Sequence, residues 1–206
     1  MDSIRITLLR HGRSHADDER VHEGRYDSPL TEVGLEQARR RLEDFRAKGF
    51  HFDCVVTSPL QRARTVAELM GEGLEAPVEL DPDWMEVDNG LLVGLSFEEA
   101  AKRFPKPDLR GLYQRYHQGE SVLDVHLRAA RAVQALLHRG EGQYLVVAHG
   151  GILNAAMRSM LGIPPMPGDM GTFFAFADLG YAVLEYEPKR HRWWVLHFTM
   201  GFNTHV

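Results

Sequence analysis

Apolar positions along the chain follow two alternating rhythms. Short continuous apolar runs, "IRITLL" (4–9), "DCVVTS" (53–58) and "QYLVVAHG" (143–150), read as buried strands, and "PVEL" (77–80) as a weaker one. Between them lie segments with a helical period. "TEVGLEQARRRLEDFRAKG" (31–49) puts Leu35, Ala38, Leu42 and Phe45 on one stripe, with Thr31 as candidate N-cap and Gly49 as a stop. Gly34 stands there where a capping box would carry Glu. Further helices are predicted over 60–73, with Pro59 suited to the first turn, over 96–104 capped by Ser96, and over 151–162. The longest covers 120–140 and spreads Val122, Val125, Leu127, Ala129, Val133, Leu136 and Leu137 over its buried side. From Thr172 the rhythm changes again. "TFFAFAD", "YAVLEYE" and "RWWVLHF" predict two or three strands that pair antiparallel at an edge, with Trp193 and Trp194 pointing to opposite faces.

This alternation predicts one domain over residues 1–206. Its class is α/β: a three-layer α/β/α sandwich with a mostly parallel central sheet and an antiparallel edge strand. A chain of 206 residues is long enough for one substantial core. A formal net charge of −5 argues against a broadly basic surface, so no nucleic-acid partner is expected, while a local basic pocket stays compatible. The single cysteine, Cys54, sits in a strand-like run and reads as a small buried apolar residue. The apolar runs are too short for a signal peptide or a membrane span, which makes a cytoplasmic chain with no membrane partner the expectation. An oligomer is compatible with all of this.

The chemistry concentrates where strands end. Leu9 is followed by Arg10-His11, Ala148 by His149-Gly150, and a third strand ends in Thr57-Ser58-Pro59 with Arg62 one turn into the next helix. In open α/β sheets the carboxyl ends of the strands form the ligand crevice, so these groups are expected on one rim. Each alone is more often an ordinary surface charge or loop histidine. Together, two guanidinium groups and two imidazoles suit a phosphoryl group. A neutral imidazole is a competent nucleophile, and neighbouring cations disfavour its conjugate acid. Such a site calls for no metal and no cofactor. A metal centre from His11, His15 and His22 is a weak competitor, because their spacing fits no single helix. A leaving alkoxide needs a proton, and Glu86 in "DWMEVDNG" follows Trp84 and Met85, an apolar setting that favours a protonated carboxyl. Spacing alone does not separate Glu86 from Asp88.

"LLRHGRS" resembles the Arg-His-Gly signature of the histidine phosphatase superfamily, phosphoglycerate-mutase-like branch. "YDSPLTEVGLEQA" (26–38), "TSPLQRARTVA" (57–67), "MEVDNGLLVGLSFEE" (85–99), "GES" (119–121) and "VVAHGG" (146–151) continue the match in the family's order. The resemblance implies a mixed, mostly parallel α/β sheet flanked by helices. It implies that His11 is phosphorylated in turnover, that Arg10, Arg62 and His149 hold the phosphoryl group, and that Glu86 is the acid. Ser14, Arg25, Tyr26 and Gly150 are the accompanying substrate-binding candidates. Two positions depart from the pattern. Asp17 stands where many mutase-like members have Asn. Asn154 stands where many phosphatases carry Arg, three residues beyond the last glycine of the second histidine segment.

The family's mutases place Arg and Tyr just after the acid and a Lys soon after; here Val87 to Val93 hold neither a cation nor a tyrosine. The reading favoured is a metal-independent phosphomonoesterase acting on a small-molecule phosphate ester through phosphohistidine at His11. A phosphoglycerate mutase is the alternative, and a non-catalytic phospho-ligand binder is the third. Residues 104–118 lie where a cap over the pocket is expected, with Phe104, Leu112, Tyr113 and Tyr116 facing an apolar leaving group and Arg110 and Arg115 a further anion, or else serve as a solvated helix.

Overall fold

The computed structural model describes residues 3–105, 110–167 and 170–202. Strand β1 (Ile4–Arg10) is followed by a one-turn helix α1 (His15–Glu19) and then α2 (Glu32–Ala47). Strand β2 (Cys54–Thr57), helix α3 (Gln61–Gly73) and the short β3 (Val78–Leu80) come next. After α4 (Phe97–Arg103) the chain forms α5 (Val122–Leu137), β4 (Gly142–Ala148) and α6 (Gly150–Met160). It ends in the hairpin β5 (Tyr181–Glu187) and β6 (Arg192–Thr199). The six strands lie in the order β3-β2-β4-β1-β5-β6. β1, β2, β3 and β4 are mutually parallel, and β5 pairs antiparallel with both β1 and β6.

Side-chain alternation along the strands builds a core on each face. Ile4, Ile6 and Leu8 of β1 join Val56, Val146 and the buried residues of α5 and α6. Leu9, Val55, Leu145 and Val147 join α2 and α3, with Phe45 at the centre of an aromatic group that includes Phe50, Phe52 and Tyr181. The fold is therefore the expected mixed three-layer sandwich. Its antiparallel part is two strands, so β5 is internal and β6 is the edge.

Capping follows the sequence at most helix starts. Thr31 accepts from the Gly34 amide, and Ser96 and Ser121 form capping boxes with Glu99 and Asp124. Helix α3 starts one residue later than expected, and Pro59 lies before its N-cap, Leu60. The Gln61 amide is instead met by the Asp27 carboxylate at 2.7 Å. Leu127 lies on the outer side of α5, 56% exposed, where the apolar stripe was expected to reach. The tail differs most. "TFFAFAD" is not a strand, because its backbone is spoken for by side chains: Arg158 donates to the Thr172 carbonyl, Asn154 bonds both the amide and the carbonyl of Phe174, and Arg10 donates to the Phe176 carbonyl. Trp193 packs on the core beside Tyr186 while the adjacent Trp194 is exposed, as the alternation requires. Cys54 is buried, and burial pushes its thiol up to about 11, as befits a packing residue.

Two local constraints position the strand ends. The loop after β1 touches the start of α2 so closely that a Cβ on Gly34 would meet the Arg13 carbonyl at 2.2 Å. On the other face, Arg128 of α5 clamps the segment before Glu86: Nη1 donates to the Asp83 and Met85 carbonyls at 2.8 and 2.6 Å. Its Nε and Nη2 grip the Glu120 carboxylate at 2.8 and 2.7 Å.

Gly34→Ala should therefore force backbone apart and cost about 1–3 kcal/mol, read as a lower urea midpoint. Arg128→Met should cost about 3 kcal/mol, the low end for breaking a buried pair because Arg25 stays beside Glu120. An unchanged midpoint in either variant contradicts its role.

Candidate active site

The β1–β4 register sets the site. Arg10 pairs with Ala148, so His11 and His149 emerge side by side from adjacent parallel strands. β1 runs on into α2 on one face of the sheet and β4 into α6 on the other. The site thus occupies a crevice at a topological switch point, where open α/β sheets bind ligands. The two imidazole centroids are 5.0 Å apart, and both rings are buried.

His11 Nδ1 lies 2.6 Å from the Gly12 carbonyl and is assigned as its donor, which leaves the Nε2 lone pair outward. Arg62 Nε donates to that nitrogen at 3.2 Å. The rest of the Arg62 fork is fixed by the loop after α1: Nη1 donates to the Tyr26 carbonyl and Nη2 to the Gly24 carbonyl, each at 2.9 Å. Burial first, then Arg62 and Arg10, hold the His11 imidazole well below the ordinary value. His149 is lowered likewise, by burial and then by Arg62, His11 and Arg10. Both rings are neutral near pH 7. Four buried polar atoms here have no hydrogen-bond partner among the described residues: Arg10 Nε, Glu23 Oε1 and both ring nitrogens of His149. Two of these are unmet donors, the Arg10 Nε–H and the one N–H of the neutral His149 ring, and they mark a place made for an incoming acceptor.

A cavity of about 590 Å³ opens over this group, lined in part by Arg10, His11, Glu86, Gly150, Asn154 and Phe174. Glu86 does not sit among apolar side chains. Trp84 turns into the core, while the Glu86 carboxylate accepts from the Gly151, Ile152 and Val87 amides at 3.0, 3.1 and 2.8 Å. The two helix amides belong to the start of α6, where positive partial charge collects. Gly151 is needed for this approach, since a Cβ there would meet the Glu86 Oε1 at 2.5 Å.

The structure brings Arg10, His11, Arg62, Glu86, His149 and Gly150 together and separates others. Ser14 is buried nearby, but its hydroxyl is engaged with Asp17 in the N-cap of α1. Asp17 does line the cavity, with one carboxylate oxygen bonded to the Ser14 amide and hydroxyl. Asn154 ties α6 to residue 174. Arg25 faces away, 3.5 Å from Asp88 and 3.4 Å from Glu120. Tyr26 is 40% exposed and contributes its carbonyl to Arg62.

The described residues of the expected cap do not line the cavity. Residues 106–109 of it lie outside the described residues. Of the rest, Arg115 pairs with Asp124 at 2.7 Å, Phe104 packs on His117, and Tyr113 is 76% exposed. Residues 173–178 line the cavity instead. His15 is exposed, and among the described residues no three His, Cys, Asp or Glu side chains meet as a metal site. No helix of the described residues is long and apolar enough to cross a membrane.

Sequence reasoning passed over Glu23. Its Oε1 is 3.2 Å from Arg62 Nε and its Oε2 3.9 Å from His11 Nε2. The available signal was its place in "HEGRY", whose carbonyls wrap Arg62. Arg128 and Glu120 were passed over as well, and only the folded chain shows that they hold the Glu86 segment.

Residues 6–199 match the model of the histidine phosphatase superfamily (branch 1). The chain is 32% identical over 161 residues to an uncharacterized phosphatase, PhoE, of Bacillus subtilis, covering 78% of this chain and 79% of the relative. It is 35% identical over 168 residues to a probable phosphoglycerate mutase, GpmB, of Cronobacter sakazakii, covering 78% and 76%. The solved structure of Bacillus stearothermophilus YhfR superposes with a TM-score of 0.82 at 26% identity, over 97% of this chain and 98% of that one. A mycobacterial glucosyl-3-phosphoglycerate phosphatase solved with VO3 superposes with a TM-score of 0.79 at 25% identity, over 94% and 97%. By sequence and by fold, this chain belongs to the histidine phosphatase superfamily.

Proposed function

We propose that the protein is a phosphomonoesterase that transfers the phosphoryl group of a small ester to His11 and then to water. The observation that carries this reading is the buried neutral imidazole, with Nε2 free of its own proton and facing Arg62, beside the unpartnered donors of Arg10 and His149. In the first step Nε2 attacks phosphorus, the P–O bond to the alcohol breaks, and Glu86 gives the leaving oxygen its proton. In the second, water attacks the phosphohistidine, Glu86 takes the proton back, and inorganic phosphate leaves with His11 neutral again. Arg10, Arg62 and His149 neutralise the equatorial oxygens, which is most of what phosphoryl transfer requires.

Relatives include both phosphatases and mutases. A mutase must hold a second anionic group while the first is transferred. Among the described residues lining the cavity, the arginine beyond the phosphoryl set is Arg13, and Asp18 already holds it at 2.6 Å. Water is therefore the favoured acceptor. Phe173, Phe174 and Phe176 on the cavity wall suit an alcohol with apolar surface.

His11→Ala should abolish hydrolysis of p-nitrophenyl phosphate in the presence of EDTA, and acid-labile label from a radioactive ester should map to His11 in the parent. Equal turnover by parent and variant contradicts the reading. Net isomerisation of 3-phosphoglycerate without phosphate release favours the mutase. Glu86→Gln should slow alkyl ester hydrolysis by about a hundred- to ten-thousand-fold and the activated nitrophenyl ester much less. Equal losses on both esters remove Glu86 as the acid.

A further inference from the structure

Glu23 is hard to reconcile with a site for a phosphate dianion. Its side chain is 17% exposed and sits in the same cavity as the phosphoryl donors. The Oε2 is 3.9 Å from the His11 nitrogen that faces the cavity, and the buried Oε1 lies 3.2 Å from Arg62 Nε without a well-aligned hydrogen bond to it or to any other described residue. Attack requires phosphorus to come to about 3–3.5 Å from that nitrogen. A phosphoryl oxygen then lies against the Glu23 carboxyl. Two unprotonated oxygens of like charge cannot share that contact inside a buried site; one proton between them turns repulsion into a short charge-assisted hydrogen bond.

We propose that Glu23 is a phosphoryl-contacting residue that must be uncharged when an oxyanion is bound, so that the site takes up its ligand together with one proton. The proposal rests on the reading above only in placing the phosphoryl group beside His11. Glu23 is not the proton donor to the leaving alcohol. Displacement at phosphorus is in line, and a group this near the attacking nitrogen flanks the phosphoryl group rather than facing the departing oxygen. Its O–H donates to an equatorial oxygen and the proton stays on the carboxyl throughout.

The charges around Glu23 fit this. Burial, first, and the Asp17 carboxylate push its carboxyl above the ordinary range, while Arg62, a hydrogen bond with Ser14, and Arg10 pull the other way. Across the cavity Glu86 is fixed on backbone amides, Arg13 is paired with Asp18, and Asp178 also lines the wall. Asp27 faces Arg62 from the loop after α1. Burial and the neighbouring arginines hold the two imidazoles that touch the site well below their ordinary value, so the comparison of parent with Glu23→Gln is what separates their protons from that of Glu23. When ionised, Glu23 also competes with the ligand for Arg62, which works in the same direction.

Orthotungstate stays dianionic through the neutral range, so any pH dependence of its binding belongs to the protein. Calorimetry with tungstate should show affinity falling about tenfold per pH unit above the titration of Glu23, with about one proton taken up per ion bound. In Glu23→Gln, a neutral donor of the same shape, affinity should be flat with pH and uptake absent; Glu23→Ala should be flat and weaker. The parent's proton uptake, measured in buffers of different ionisation heat, is assigned to Glu23 by its loss in Glu23→Gln. Equal slopes in parent and Glu23→Gln, or tungstate binding by the parent with no proton uptake, overturns the proposal. Tungstate is not turned over, so loss of the phosphohistidine reading would leave this result standing, and the reverse.

Discussion

His11 sits at the end of β1, shut off from water, with its Nδ1–H on the Gly12 carbonyl and its Nε2 against a guanidinium. An imidazolium there would lose its hydration and face Arg62 and Arg10 at close range. The ring is therefore neutral, and the same guanidinium groups that keep it neutral are the ones suited to hold a phosphoryl group. One arrangement thus makes the nucleophile available and receives what it attacks. Removing either arginine would weaken the anion site and also relax the constraint that keeps the ring unprotonated.

The fold delivers this arrangement through register. Parallel pairing of β1 and β4 brings His11 and His149 into line, and the opposite departures of the two chains leave space above them. Helix α3 brings Arg62 from a third strand, and the loop at Gly24 and Tyr26 locks its fork. On the far side Arg128 fixes the carbonyls before Glu86, and the α6 amides fix its carboxylate. Arg10, His11, Arg62 and Glu86 are each held by backbone groups, so little ordering of them remains when a ligand arrives.

Much of this was legible in the chain because strand ends are legible. Arg10, His11, Arg62 and His149 follow apolar runs whose parallel pairing fixes where they emerge, and the helix caps at Thr31, Ser96 and Ser121 follow from local chemistry alone. What was not legible depends on contacts between distant segments. "TFFAFAD" has the composition of a strand, yet Arg10, Asn154 and Arg158 take its backbone groups and lay it along the cavity. Arg25 looks like an anion ligand until Asp88 and Glu120 are seen beside it. Glu86 follows a tryptophan in sequence, but the chain turns between them and the carboxylate meets amides instead.

The balance of charge bears on the kind of reaction. Arg10 and Arg62 are met in the same cavity by Glu23, Asp17 and Glu86, so the pocket is far from the surplus of positive charge its arginines suggest. A strongly cationic pocket binds phosphate tightly in substrate, intermediate and product alike, and such uniform binding does not speed the chemical step. Ionised carboxyl groups beside the phosphoryl position weaken the hold on the free dianion. In the proposed reaction that favours departure of inorganic phosphate after hydrolysis, and it disfavours the long retention of a phosphorylated intermediate on which a mutase depends. Once inorganic phosphate leaves together with the proton of Glu23, a carboxylate stands in the pocket again and opposes rebinding of the dianion.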